Sequence, residues 1–198
     1  MTSKRATDGA IHRPVRVFRH LAVGALAGTV GTAAMDAVLY RRFRRGGGQE
    51  SGWHWESAEG VTEWSQASAP GQVGRKLLTV LLGHPPPDSW ARRTTNAVHW
   101  ATGISWGAQY GALASVTTRH PWWRAVGLGP TAWLTSYAVL PVIGVYQPIW
   151  RYDLKTLGQD LAGNVVFGLA TSAAFAALLR GPGPTSGPVA AVGQVSSR

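Results

Sequence analysis

The chain has 198 residues, 45% of them apolar and only 14% charged, against about 25% charged in soluble domains. It carries 25 glycines, 10 tryptophans, no cysteine and a net charge of +10. The missing cysteine excludes disulfides, thiolate catalysis and Cys-ligated zinc, while the glycine and tryptophan enrichment points to membrane helices and their interfaces. The basic residues sit at the ends of apolar segments rather than along one polar helix. That placement favours anionic lipid headgroups as their partner over nucleic acid.

Residues 1–17 are polar and basic and read as a flexible arm. The first apolar run, 18–40, would extend about 34 Å as a helix, enough to cross a bilayer. A cleaved signal peptide is the competing reading. The length of the run and the immediate Arg41, Arg42, Arg44 and Arg45 favour a retained span with a stop-transfer sequence. Gly24 and Gly28 form a GxxxG pair within it, extended by Gly31. A flexible GGG joint (46–48) follows.

Residues 41–94 form a long insertion. Glu56, Glu59 and Glu63 have helical spacing and read as one solvated face, and Trp53, Trp55 and Trp64 place the piece at headgroup level. The apolar stretch around Leu77–Leu82 is too short to span and predicts an interfacial helix. Asp88 or Ser89 is a candidate cap for the helix after the proline-rich linker.

The second span, 95–116, carries Gly103, Gly107 and Gly111 at strict four-residue spacing, a face suited to close helix packing. Trp122 and Trp123 read as interface anchors. The third span, 125–147, contains Pro141 and should kink there. The fourth runs 161–179, and 180–198 has the composition of a flexible tail. The expected architecture is an all-α polytopic membrane protein with four transmembrane helices (18–40, 95–116, 125–147, 161–179) and an interfacial helical insertion between the first two. The basic residues divide almost evenly between the two sides, and only RRFRR (41–45) and Arg92-Arg93, directly at span ends, tip the reading toward a cytosolic insertion.

In an antiparallel four-helix order, Asp36, His99, Tyr146, Asn164 and Asp160 all fall at the same end of the bundle, beside the long insertion. Ionisable groups inside a span need partners. Depth matching gives Asp36 the partner His99, either as a proton-responsive pair or as a structural hydrogen bond. A metal site from His54, Glu56, Glu59 and Glu63 lacks any recognised ligand spacing, so no metal or cofactor is expected. Catalysis would have to use His99 with Thr102 or Ser105, but His99 and Thr102 are neighbours on a helix face by spacing alone; no catalytic residue is assigned.

The stretch VGLGPTAWLTSYAVLPVIGVYQPIWRYDLKTLGQDLAGNVVFG, with Pro141, Gly144, Pro148 and the Asp160, Gly163, Asn164 signature, resembles the YagU-like family of bacterial inner-membrane proteins. GALAGTVGTAAMD resembles that family's first span. The resemblance implies a multi-pass inner-membrane location. It brings no biochemical activity, and Asn164 stands where the family pattern has a histidine. The functional expectation is a small integral membrane protein, structural or stress-related, working through helix packing or a partner, with a second copy of the chain as one candidate. The alternatives are an oligomeric transporter or channel-like protein using the Asp36/His99 cluster, and, last, a membrane-embedded enzyme acting on a lipid-like substrate.

Overall fold

A computed structural model describes residues 3–117 and 121–180. Its helices are α1 (Ser3–Arg45), α2 (Gly52–Glu56), α3 (Ala69–Leu82), α4 (Ala91–Val116), α5 (Pro121–Val139) and α6 (Leu154–Arg180). Short 3-10 turns lie at Trp64–Gln66, Asp88–Trp90 and Ile149–Arg151, and no strand occurs among the described residues. The protein is all-α. Among the described residues, two helices are long and apolar enough to cross a membrane, Pro14–Arg45 within α1 and Leu154–Arg180. The expected second and third spans fall short of that measure. α4 carries Arg92, Arg93, Asn96, His99, Ser105 and Gln109, and α5 has only 19 residues with Arg124 near its start.

α1 is the central element. With 43 residues it extends about 65 Å, starting well before the apolar run, so the helix takes in most of the stretch read as a flexible arm. Arg42, Arg44 and Arg45 fill its last turn, where cations suit the partial negative charge of a helix C-terminus. It stops because Gly47 adopts φ +94°, a left-handed conformation that costs glycine little.

α4 and α6 both pack on α1, on adjoining faces, so that Tyr110 of α4 meets Phe175 of α6 with ring centroids 5.2 Å apart; α5 packs on α6, and α3 on α4. The α1–α4 seam is made of glycine. A Cβ at Gly24 would overlap the carbonyl oxygen of Gly107, one at Gly28 that of Gly103, and one at Gly111 that of His20. Gly24, Gly28, Gly103, Gly107 and Gly111 are all buried in this contact, so none of them is available to a second copy of the chain. Gly31 lies against Phe167 and Thr171 of α6. A second close seam, absent from the sequence reading, joins α5 to α6 where Gly129 meets the backbone at Asn164 and Gly168 meets Gly129. Ala27, Tyr110, Leu128, Phe167 and Phe175 form the apolar core between these helices.

The helices thus form a curved row, α5–α6–α1–α4–α3, and α4 barely touches α5. The two meet near their connection, where Arg124 Nη1 donates to Ala114 O at 3.5 Å. Farther along they leave a cleft.

Several boundaries differ from the sequence reading. The third helix does not continue through Pro141 with a kink; it ends at Val139. Pro141 has no N–H to continue the ladder, and Gly144 at φ +66° turns the chain back. Glu56, Glu59 and Glu63 do not share a helix face, because α2 ends at Glu56 and Ala58 adopts φ 50°. Asp88 does not cap α4; its Oδ1 accepts from Trp64 N at 3.3 Å. The interfacial helix does form, as α3, leaving Leu77, Val80 and Leu81 exposed beside Arg75 and Lys76. Of the three tryptophans read at headgroup level, Trp53 is exposed. Trp55 packs on Tyr40 and Phe43, and Trp64 is buried with its Nε1 donating to Pro86 O at 2.9 Å. The tail 181–198, the side chains of 1–13 and that of Trp122 lie outside the described residues.

Candidate functional site

Asp36 lies on the last third of α1, on the face turned to α4. It is buried at 4% exposure. His99, two turns into α4, places Nε2 2.9 Å from Asp36 Oδ2 and 3.1 Å from Oδ1, donating to the carboxylate. The glycine seam sets this distance. By bringing the two backbones into contact, it puts side chains one to two turns beyond it within hydrogen-bond reach. A third group comes from the insertion. α2, capped by Ser51 accepting from His54 N, ends by presenting Glu56 to the pair. Partial burial and then the negative charge of Asp36 hold the Glu56 carboxyl above its ordinary value of 4.5, with His99 opposing. Glu56 Oε1 is buried and has no hydrogen-bond partner.

A second polar group faces this one from α5 and α6. Tyr137 Oη donates to Asp160 Oδ2 at 2.6 Å. Asn164 Nδ2 donates to the Asp160 carbonyl one turn below, at 3.0 Å. The Gly144 turn folds Tyr146 and Tyr152 back onto Tyr137, with ring centroids 5.2 and 5.3 Å away, and Trp133 packs on its other side at 5.2 Å. Asp153 caps the start of α6. Its Oδ1 accepts from Thr156 N at 2.9 Å, and that bond holds its carboxyl below the usual range.

Between the two groups lies a cavity of about 670 Å³ to which all six helices contribute. Asp36, His99, Tyr146, Asp160 and Asn164, the five polar residues singled out from the sequence, all line it. It continues into the α4–α5 cleft, about 280 Å³, which shares His99, Ser136, Tyr146 and Asn164 with it and is otherwise mainly apolar. Glu50, Glu56, Trp55, Trp133 and Tyr137 also line the cavity and were not assigned to it from sequence. Glu56 was misplaced because the spacing of the insertion's glutamates imitates a helix that the Ala58 turn interrupts. Tyr137 lies four residues before Pro141, and its role depends on the helix stopping there.

The other sequence candidates separate. His54 pairs with Glu59 at 3.2 Å, away from Glu56, and no group of three ligating side chains suited to a metal occurs among the described residues. Thr102 and Ser105 do not meet His99 as nucleophiles; each hydroxyl donates within its own helix, to Val98 O and Thr102 O. The fold and site together define an all-helical protein with an acidic, aromatic-walled cavity to which every one of its described α-helices contributes. No family model, curated protein or solved structure matches the chain.

Proposed function

We propose that the chain is a four-span integral membrane protein whose bundle holds a small solute, as a binding or carrier protein. α1, α4, α5 and α6 span; α2 and α3 form the interfacial insertion. The cavity carries this reading. A chamber of about 670 Å³ is within the range of small-molecule sites, and it contains a buried aspartate paired with a histidine, groups that membrane helices seldom bury without use. A purely structural role through helix packing is supported less. The glycine face is consumed inside the chain and offers nothing to a partner. Of the polar residues of α4, Asn96 and His99 line the cavity and Thr102 the cleft, which is where a spanning helix tolerates them, while Arg92, Arg93, Ser105 and Gln109 are exposed. The likeness to the YagU-like family bears on membrane location and leaves the activity open.

The absence of native cysteine makes the test clean. Single cysteines at Ser65 and Lys155 should react with an impermeant thiol reagent from one side of the membrane, and one at Ser186 from the other. Labelling of Ser65 and Ser186 positions from the same side rules out four spans. A cysteine at Ser136, on the wall shared by cavity and cleft, should react only from the Ser65 side. If it is unreactive from both sides, the cavity is closed to solute and the proposal fails.

A further inference from the structure

Four of the chain's nine acidic residues, Asp36, Glu50, Glu56 and Asp160, line this one cavity, and no Lys or Arg is among its described lining residues, although the net charge is +10. Like charges gathered around a partly buried space repel unless something positive sits among them. The fold supplies only part of that. His99 serves Asp36 and the Tyr137 hydroxyl serves Asp160, while Glu56 keeps a buried oxygen without a partner. The walls between the acids are aromatic, formed by Trp55, Trp133, Tyr137 and Tyr146, and aromatic faces attract ammonium groups. A bare metal ion has no three-residue ligand set here. The adjoining cleft is a different environment, with Val73, Val98, Trp106, Leu140 and Phe167 on its walls.

Taking the cavity as the solute site proposed above, we infer that it binds an amphiphilic organic cation. The ammonium head lies among Glu56, Asp36 and Asp160 against the aromatic faces, and the apolar tail lies in the cleft between α4 and α5. The acids select the sign of charge, the rings select an organic cation over a hydrated inorganic one, and the cleft, open where α4 and α5 part, admits the tail.

The full chain in phosphatidylglycerol nanodiscs, titrated with dodecyltrimethylammonium and followed by tryptophan fluorescence against empty nanodiscs, should show saturable binding. Tetramethylammonium, which lacks the tail, should bind at least about tenfold more weakly, a difference of about 1.4 kcal/mol. Dodecyl sulfate should not compete. Glu56→Gln and Asp160→Asn should each weaken dodecyltrimethylammonium about tenfold, and Thr102→Trp, which fills the cleft wall, should weaken it while leaving tetramethylammonium unchanged. Repeating the titration in phosphatidylcholine nanodiscs identifies the source of the cation: competition by the lipid marks a headgroup as the natural occupant, and its absence marks a free amphiphile. Equal binding of dodecyl sulfate by the unmodified chain overturns the inference without relying on any variant. So does undiminished affinity in both acid variants. A Ser136 cysteine that labels from one side while the cation fails to bind would sink this inference alone and leave the solute-holding reading intact.

Discussion

Gly107→Ala tests the packing on which the site depends. An added Cβ would lie 2.5 Å from Gly28 Cα and 2.6 Å from its nitrogen, and closer still to the Gly24 carbonyl oxygen. Carbon atoms prefer about 3.5–4.0 Å, so the α1 and α4 backbones must part by about 1 Å. Neither backbone has a flexible side chain to move aside. A gap of that size forfeits roughly a quarter to a half of each dispersion contact along the seam, and the cost should be about 2–3 kcal/mol, in the upper part of the range for overpacked cores. Gly127→Ala on α5 is the control. Nothing lies within 4 Å of its added Cβ, and the better helix propensity of alanine should stabilise by about 0.5–1 kcal/mol. Equilibrium unfolding in mixed micelles by circular dichroism should therefore move the two variants in opposite directions. The same displacement should also lengthen the Asp36–His99 hydrogen bond. If Gly107→Ala unfolds at the wild-type midpoint, the two helices do not pack backbone to backbone as described.

Two further outcomes follow from unsatisfied or crowded polar groups. Thr171 is fully buried and its Oγ1 has no hydrogen-bond partner, so Thr171→Val should stabilise by about 1 kcal/mol by removing a desolvated hydroxyl of nearly the same shape; a destabilised valine variant would show that the hydroxyl is bonded after all. Glu56 binds its proton more tightly in the folded chain than in the unfolded one, so the fold loses stability as pH rises from 4.5 through the raised value. The groups facing it are Asp36 from α1 and His99 from α4, with Glu50 on the same cavity and Asp160, Tyr137 and Tyr146 opposite. Glu56→Gln should be relatively more stable at pH 7 than at pH 4.5, and parallel melting profiles for the two proteins across that interval would refute the assignment.

Much of the arrangement could be read from residue spacing, because glycines four apart and polar groups at matching depth obey helix geometry alone. The Gly24/Gly28 and Gly103/Gly107/Gly111 pattern needs no tertiary information to define a groove, and Asp36 and His99 share a depth once four helices run antiparallel. What escaped was set by where helices stop. Hydropathy continues through Val142, Ile143 and Val145, so nothing in the apolar pattern ends α5 at Val139. The end comes from Pro141 and Gly144 acting together, and it is this end that folds Tyr146 back onto Tyr137. Glu56 escaped for the converse reason, since its 3- and 4-residue spacing to Glu59 and Glu63 fits a helix that the left-handed Ala58 breaks. The α5–α6 seam was also missed, because it uses one glycine on α5 and one on α6 and leaves no periodic trace.

The position of the cavity follows from which helix pairs have small residues to spend. α1 offers Gly24 and Gly28 to α4 and Gly31 to α6, while α6 offers Gly168 to α5. Each of these contacts closes to backbone distance. α4 and α5 have no such pair. Trp106 faces their cleft from α4, and Ser136 and Leu140 from the α5 end, so bulk holds them apart at one end while their short connection and the Arg124–Ala114 hydrogen bond keep them near at the other. Three tight seams and one open one make a wedge that widens toward Asp36 and His99. The insertion then closes over its wide end. Gly71 and Gly74 seat α3 on Thr95, Thr94 and Val98 of α4, which places Ala69 and Pro70 on the walls of both cavity and cleft. Trp64, held by Pro86 and Asp88, ties that helix back to the linker. The same insertion carries Trp55 and Glu56, so the side chains that complete the acidic end of the wedge arrive on the element that covers it.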